Sequence, residues 1–204
     1  MRSAKYALVG LALAAAGSAQ AAGVGLRAGT TGVGADVAFD LAPTLSARLG
    51  YSAGNVDHDV TTNITYHGKL KISNLNTFLD FAPLGPFFRI TGGFIFNDNK
   101  FDVQSDTVNG VNISGTVKPE KSAAPYLGIG YGRVSGTGVN FYADLGVMFQ
   151  GTPQATLTAN CGSLTPAQCA PVQSQVASQQ QQLQDQLKNA KYYPVLNIGL
   201  TIGF

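Results

Sequence analysis

The stretch KYYPVLNIGLTIGF, residues 191–204, decides the fold. From Tyr192 onward one register holds Tyr192, Pro194, Leu196, Ile198, Leu200, Ile202 and Phe204, and the other holds Tyr193, Val195, Asn197, Gly199, Thr201 and Gly203. A period of two is that of a β-strand, whose successive side chains point to opposite faces. A soluble core or a lipid bilayer would each produce such a strand. The rest of the chain distinguishes them.

At the other end, MRSAKYALVGLALAAAGSAQA carries Arg2 and Lys5, an apolar run from Tyr6 to Ala16 and the small-residue site Ala19-Gln20-Ala21. This is the pattern of a secretory signal peptide, residues 1–21, cleaved after Ala21. The apolar run is too short to cross a bilayer as a helix and no longer one follows, so any insertion of residues 22–204 uses strands. Removing Arg2 and Lys5 takes the 13 basic residues to 11, equal to the 11 acidic ones. No basic field for nucleic acid remains. Only 12% of residues are charged, about half the usual share in a soluble domain. The two cysteines, Cys161 and Cys169, follow an export signal, which predicts a disulfide between them.

The same alternation recurs along the chain. It runs through Val33 to Leu41, Leu45 to Tyr51, Leu75 to Phe81, Phe88 to Phe96, Leu127 to Tyr131 and Val139 to Phe149. Short turns rich in Gly, Pro and Ser (40–44, 82–86, 134–138) alternate strictly with long polar segments (about 55–68, 97–122 and 151–190). That order predicts a transmembrane barrel with short periplasmic turns and long extracellular loops. An even strand count follows if Gly23 to Leu41 breaks at Gly29-Thr30-Thr31-Gly32, giving an all-β, eight-stranded antiparallel barrel over residues 22–204.

With the apolar registers facing lipid, the opposite registers place Arg27, Asp36, Asp40, Arg48, Asp80, Arg89 and Asp144 inside. A barrel of this size has a lumen just wide enough to be filled by side chains, and buried charges are tolerated only when paired. Asp40, Arg48, Asp80 and Arg89 all lie near periplasmic turns, so they are expected at similar depth in one ion-pair network that plugs the barrel. A soluble protein would bury all seven charges in its core or expose a large apolar surface.

PYLGIGYG (125–132), FYADLGVMFQG (141–151) and KYYPVLNIGLTIGF carry a family likeness. The chain resembles small proteobacterial outer-membrane barrels of the OmpW-like, OmpX-like and opacity-protein-like families. Its last strand, with Tyr192, Leu196, Ile198, Leu200, Ile202 and the terminal Phe204 in one register, resembles the signal that barrel-assembly machinery reads. The resemblance implies the outer membrane as address and its lipids, lipopolysaccharide included, as partners. It carries over no catalytic residue.

Other constellations have bland readings. Asp57, His58, Asp59 and His67 lack a metal-binding frame and are expected in a solvated outer loop. Val172, Val176, Leu183 and Leu187 recur at helical spacing after Pro171, predicting a short helix within the glutamine-rich third loop. The glycine clusters 29–34 and 128–132 lack the ending of a phosphate loop and are expected to make room for bulky lumen neighbours. No enzyme, cofactor or metal is expected. The leading expectation is a structural or surface-interaction barrel with a filled lumen. The alternatives are a narrow channel for small or hydrophobic solutes and a lipid-directed enzyme.

Overall fold

The computed structural model describes residues 21–61, 65–85, 87–105, 107 and 110–204. Apart from Ala21, the expected leader lies outside the described residues. Among these residues eleven strands and one helix follow in order: β1 (Ala22–Gly29), β2 (Gly32–Ala42), β3 (Leu45–Thr61), β4 (Thr65–Phe81), β5 (Arg89–Asn97), β6 (Lys100–Ser105), β7 (Asn112–Lys118), β8 (Ala123–Gly132), β9 (Gly138–Phe149), β10 (Gln154–Asn160), α1 (Pro166–Leu187) and β11 (Tyr192–Gly203). No helix among the described residues is long and apolar enough to cross a membrane.

Eight of the strands close a ring. β1 pairs with both β2 and β11, β4 pairs with both β3 and β5, and β5–β8–β9–β11 completes the circuit, all antiparallel. Closure leaves the ring no unpaired edge, which is what lets a sheet cross a bilayer. The break between β1 and β2 falls at Thr30-Thr31, as the glycine pair predicts. Gly32 has φ of 100° there, a conformation that a side chain would strain.

The remaining strands continue the wall upward. β6 pairs with the upper half of β4, β7 with β6 and β10 with β7, so β6, β7 and β10 prolong β5, β8 and β9 after short interruptions. Those interruptions form a seam. The Asp98 N–H donates to the Ser73 carbonyl at 2.9 Å, Asn97 to Ser122 at 2.6 Å and Lys121 to Gln150 at 3.0 Å. Above the seam stands a partial cup of β3, β4, β6, β7, β10 and α1, while β1 and β2 end short of it.

The three segments expected as long loops are thus corrected in part. β3 and β4 run without interruption to Thr61 and from Thr65, and β6, β7, β10 and α1 occupy most of the rest. Their alternation is of reversed polarity, which gives these strands the composition of polar loops. Facing out are Asp57, Lys69, Asp102, Thr116 and Thr156, and facing in are Val56, Leu70, Phe101, Val117 and Ala155.

A helix is present in this segment but begins at Pro166, so Pro171, expected to mark its start, lies inside it; Cys169, Val172, Val176, Leu183 and Leu187 are its covered apolar positions. Its glutamines close the exposed edge of β10. The Ala155 N–H donates to Gln184 Oε1 at 3.0 Å and the Leu157 N–H to Gln180 Oε1 at 2.8 Å. Two glutamines at i and i+4 replace a missing neighbour strand, which protects an edge that would otherwise recruit another chain. The Cys161–Cys169 disulfide is formed just before and within the first turn of the helix.

Candidate functional site

The ring has an apolar outside and a polar inside. Leu26, Leu79, Phe94, Leu127, Leu145, Leu196, Ile198, Leu200 and Ile202 are exposed on its outer wall, whereas Arg27, Asp36, Arg48, Asp80, Arg89 and Asp144 are buried. Aromatic side chains mark both rims: Tyr51, Phe149 and Tyr192 near the seam, and Phe81, Phe87, Tyr131 and Phe204 near the short turns. Such paired girdles flank the lipid-facing band of transmembrane barrels.

The lumen's centre is a closed cycle of charges from β3, β4, β5 and β9. Arg48 meets Asp80 through Nε and Nη2, both at 3.1 Å, and Asp144 through Nη1 at 2.6 Å. Arg89 donates from Nε to Asp80 at 3.1 Å, from Nη2 to Asp144 and from Nη1 to the Gly132 carbonyl. Thr91 adds a hydroxyl to Asp80 at 2.5 Å. All four charged residues are at most 3% exposed, so the cycle Arg48–Asp80–Arg89–Asp144 balances two cations with two anions away from water. Buried charges persist only when paired in this way.

Aromatic rings and glycines complete the fit. The Arg48 guanidinium lies 5.0 Å from the Tyr142 ring centroid and 5.1 Å from that of Phe78, within cation–π range. The register sets Arg89, Gly130 and Asp144 in one row across β5, β8 and β9. A Cβ at Gly130 would come within 2.4 Å of Arg89 Nη2 and 2.7 Å of Asp144 Oδ1. The absent side chain is the space in which the arginine and the aspartate meet.

Three further layers stack on this cycle. Arg27 pairs with Asp36 at 3.2 Å, and Tyr142 donates its hydroxyl to the same aspartate. Towards the seam comes an apolar layer of Phe78, Ile95, Ala124, Tyr126, Met148 and Val195. Its upper side meets amides and hydroxyls, with Asn97 Nδ2 on Met148 Sδ at 3.7 Å, Thr31 on Asn197 at 2.9 Å and Asn74 on the Thr31 carbonyl at 3.1 Å. Near the short turns, Asp40 accepts hydrogen bonds from Ser46 at 2.7 Å and from Ser135.

Asp40 therefore stands apart from the network expected to include it, and Asp144 takes the fourth place. Strands in a barrel are staggered, so equal distance from a turn is not equal depth. Asp40 lies opposite Ser46, one dyad nearer the turns than Arg48, while Asp144 is brought to Arg89 across Gly130.

Outside the lumen, His67 Nδ1 lies 2.9 Å from Asp59 Oδ1 and Lys69 Nζ lies 3.6 Å from Asp57, all exposed on the cup's outer face. Asp102 on that face meets Lys100 at 2.8 Å and the Thr116 hydroxyl at 2.7 Å. Partial burial opposes its ionisation, but these hydrogen bonds and the nearby Lys118 hold its carboxyl below the ordinary carboxylate range. Among the described residues no three His, Cys, Asp or Glu side chains are grouped as metal ligands.

A closed antiparallel barrel with an apolar exterior and an ion-paired interior defines the class: the fold of a small transmembrane β-barrel. Among solved structures, the chain is similar to CarO2 of Acinetobacter baumannii, at 19% identity over 90% of this chain and 98% of that one, with a TM-score of 0.63. It is also similar to CarO of the same organism, at 18% identity over 89% and 97%, with a TM-score of 0.62. At such identities the likeness is one of fold. No protein-family model and no curated protein matches the sequence.

Proposed function

We propose that the protein is an integral outer-membrane barrel whose lumen is closed and whose function lies in its surface-exposed cup, a structural or surface-interaction role without enzymatic activity. The four-residue cycle Arg48–Asp80–Arg89–Asp144 carries this reading, since it spans the lumen from four strands and leaves its charges buried and mutually paired. Within the small proteobacterial barrels, the OmpW-like, OmpX-like and opacity-protein-like families are the company this reading assigns it. Export by the leader, folding through the assembly machinery and contact with outer-leaflet lipids belong to the same proposal.

Limited proteolysis of intact cells tests it. Protease added outside should cut the cup above the seam and leave a membrane-embedded fragment containing the ring strands. Complete resistance, or release of the whole chain in a soluble form, would contradict the assignment.

A channel reading draws on one feature, the apolar inner face of the cup around Leu70, Phe101 and Val117, which suits a small apolar solute above the plug. The cycle beneath it opposes passage through the lumen.

A further inference from the structure

The outer face of the cup is not uniformly charged. In the row next to the seam, Lys71 on β4 lies opposite Lys100 on β6. The β6–β7 register, with Phe101 opposite Val117, places Lys118 beside Lys100, and Gln154 on β10 lies beyond it. Three cations thus occupy neighbouring positions on three adjacent strands. Like charges directly opposite one another are destabilising in a sheet, so the row needs anions.

The adjoining rows supply some of them, with the exposed Asp98 beside Ser73 one dyad below. Lys100 has Asp102, whose carboxylate Lys118 also stabilises from a greater distance, and in the same next row outward Asp57 is taken by Lys69. Among the described residues, neither Lys71 nor Lys118 has a carboxylate within ion-pair distance. The nearby Glu120 accepts from the Thr152 N–H at 2.8 Å and lies outside ion-pair distance of Lys118. Beside the row, Lys100, Lys118, Thr116, Thr156 and Gln154 line a recess of about 300 Å³, which sets ammonium, hydroxyl and amide donors around one space.

Position supplies the second observation. Tyr51, on the outer wall, reaches Ser73 at 3.1 Å between hydroxyls, and Leu75 is the next outward residue below it on β4. Lys71 stands two residues above Ser73, about 7 Å along the strand. The lysines therefore lie where the apolar wall ends and lipid headgroups begin.

We infer that Lys71, Lys100 and Lys118 form a docking site for the phosphate groups of an outer-leaflet lipid, whose acyl chains lie against the wall beneath. The inference rests on the membrane assignment proposed above. An ammonium row suits phosphate, as a set of point charges that adapts to its geometry.

The test uses protein extracted from membranes in neutral detergent and titrated with lipid A carrying both phosphates, with the same lipid dephosphorylated, and with inorganic phosphate as competitor. The wild type should prefer the phosphorylated lipid. Lys71→Gln with Lys118→Gln should weaken that binding roughly thirtyfold, about fivefold for each lysine at a membrane surface. Lys71→Arg with Lys118→Arg should retain it, and Lys191→Gln, on β11's side of the barrel, should leave it unchanged.

Equal binding of the two lipids, an equal loss in Lys191→Gln, or displacement of the lipid by equimolar inorganic phosphate would overturn the site. Electrophoretic mobility that changes on heating reports the folded barrel separately. A folded barrel without lipid preference defeats this inference alone, whereas a chain that never enters membranes defeats the assignment beneath it.

Discussion

Below the seam, β4 turns Leu75, Thr77, Leu79 and Phe81 outward and Asn74, Asn76 and Asp80 inward; above it, the same strand turns Lys69 and Lys71 outward and Leu70 and Ile72 inward. No register shift separates the two halves. Strand geometry is constant, and only the solvent on each side changes. In the ring, the proposed lipid outside and the ion-paired interior would select apolar-out, polar-in. In the cup the order is reversed, with the charges outside and Val56, Leu70, Phe101 and Val117 inside, although Val56 and Phe101 remain 54% and 40% exposed. β3 makes the same exchange between Leu49, Tyr51 and Ala53 on one side and Asn55, Asp57 and Asp59 on the other. On the membrane assignment proposed above, the inversion marks the level at which the lipid-facing band ends.

The contrast can be attacked where it is strongest. Asp144→Ala leaves Arg48 and Arg89 sharing one aspartate in a buried site, and breaking a buried pair this way costs about 3–5 kcal/mol. Urea unfolding from lipid vesicles should report a loss of that size. A variant as stable as the wild type would show that the cycle does not hold the ring.

Next comes a test of the two outer faces. Ile198→Arg, midway along the lipid-facing register of β11, should cost about 2–4 kcal/mol in the same assay. Thr156→Arg, on the outer face of the cup, should change stability by no more than about 0.5 kcal/mol. Equal penalties would mean that both faces meet the same solvent, and the comparison would fall.

Two smaller effects belong to the cup alone. Replacing Cys161 and Cys169 by Ser opens a ring whose closure contributes about 2–3 kcal/mol on the chain-entropy account. Hydrogen exchange should then accelerate through the start of α1 while the ring strands keep their protection. Gln180→Ala with Gln184→Ala should release the Ala155 and Leu157 amides, each by about 1 kcal/mol or fivefold in exchange. Faster exchange in β9 or β11 after either change would show that cup and ring unfold as one unit.

The ring was legible in the sequence because its outward register is apolar without interruption, as in Leu196, Ile198, Leu200 and Ile202, and because its turns are short. The inward charges were legible for the same reason, since a period of two assigns each residue to a face. Their pairing was not. The partners Arg89 and Asp144 are 55 residues apart and meet only through the stagger of three strands and the gap at Gly130. The cup was hidden by its reversed polarity, which makes strands such as KFDVQS and NISGTVK resemble polar loops. One signal was present in the spacing of Gln180 and Gln184, which face the same side of α1 and meet β10's unpaired amides.

Planar-bilayer conductance of the inserted protein bears most directly on the closed lumen. The wild type should show no discrete current steps at neutral pH, with Asp144→Ala as the variant in which leakage first appears. Reproducible unitary steps in the wild type would contradict the account, because ions would then be crossing a path that the Arg48–Asp80–Arg89–Asp144 cycle should close.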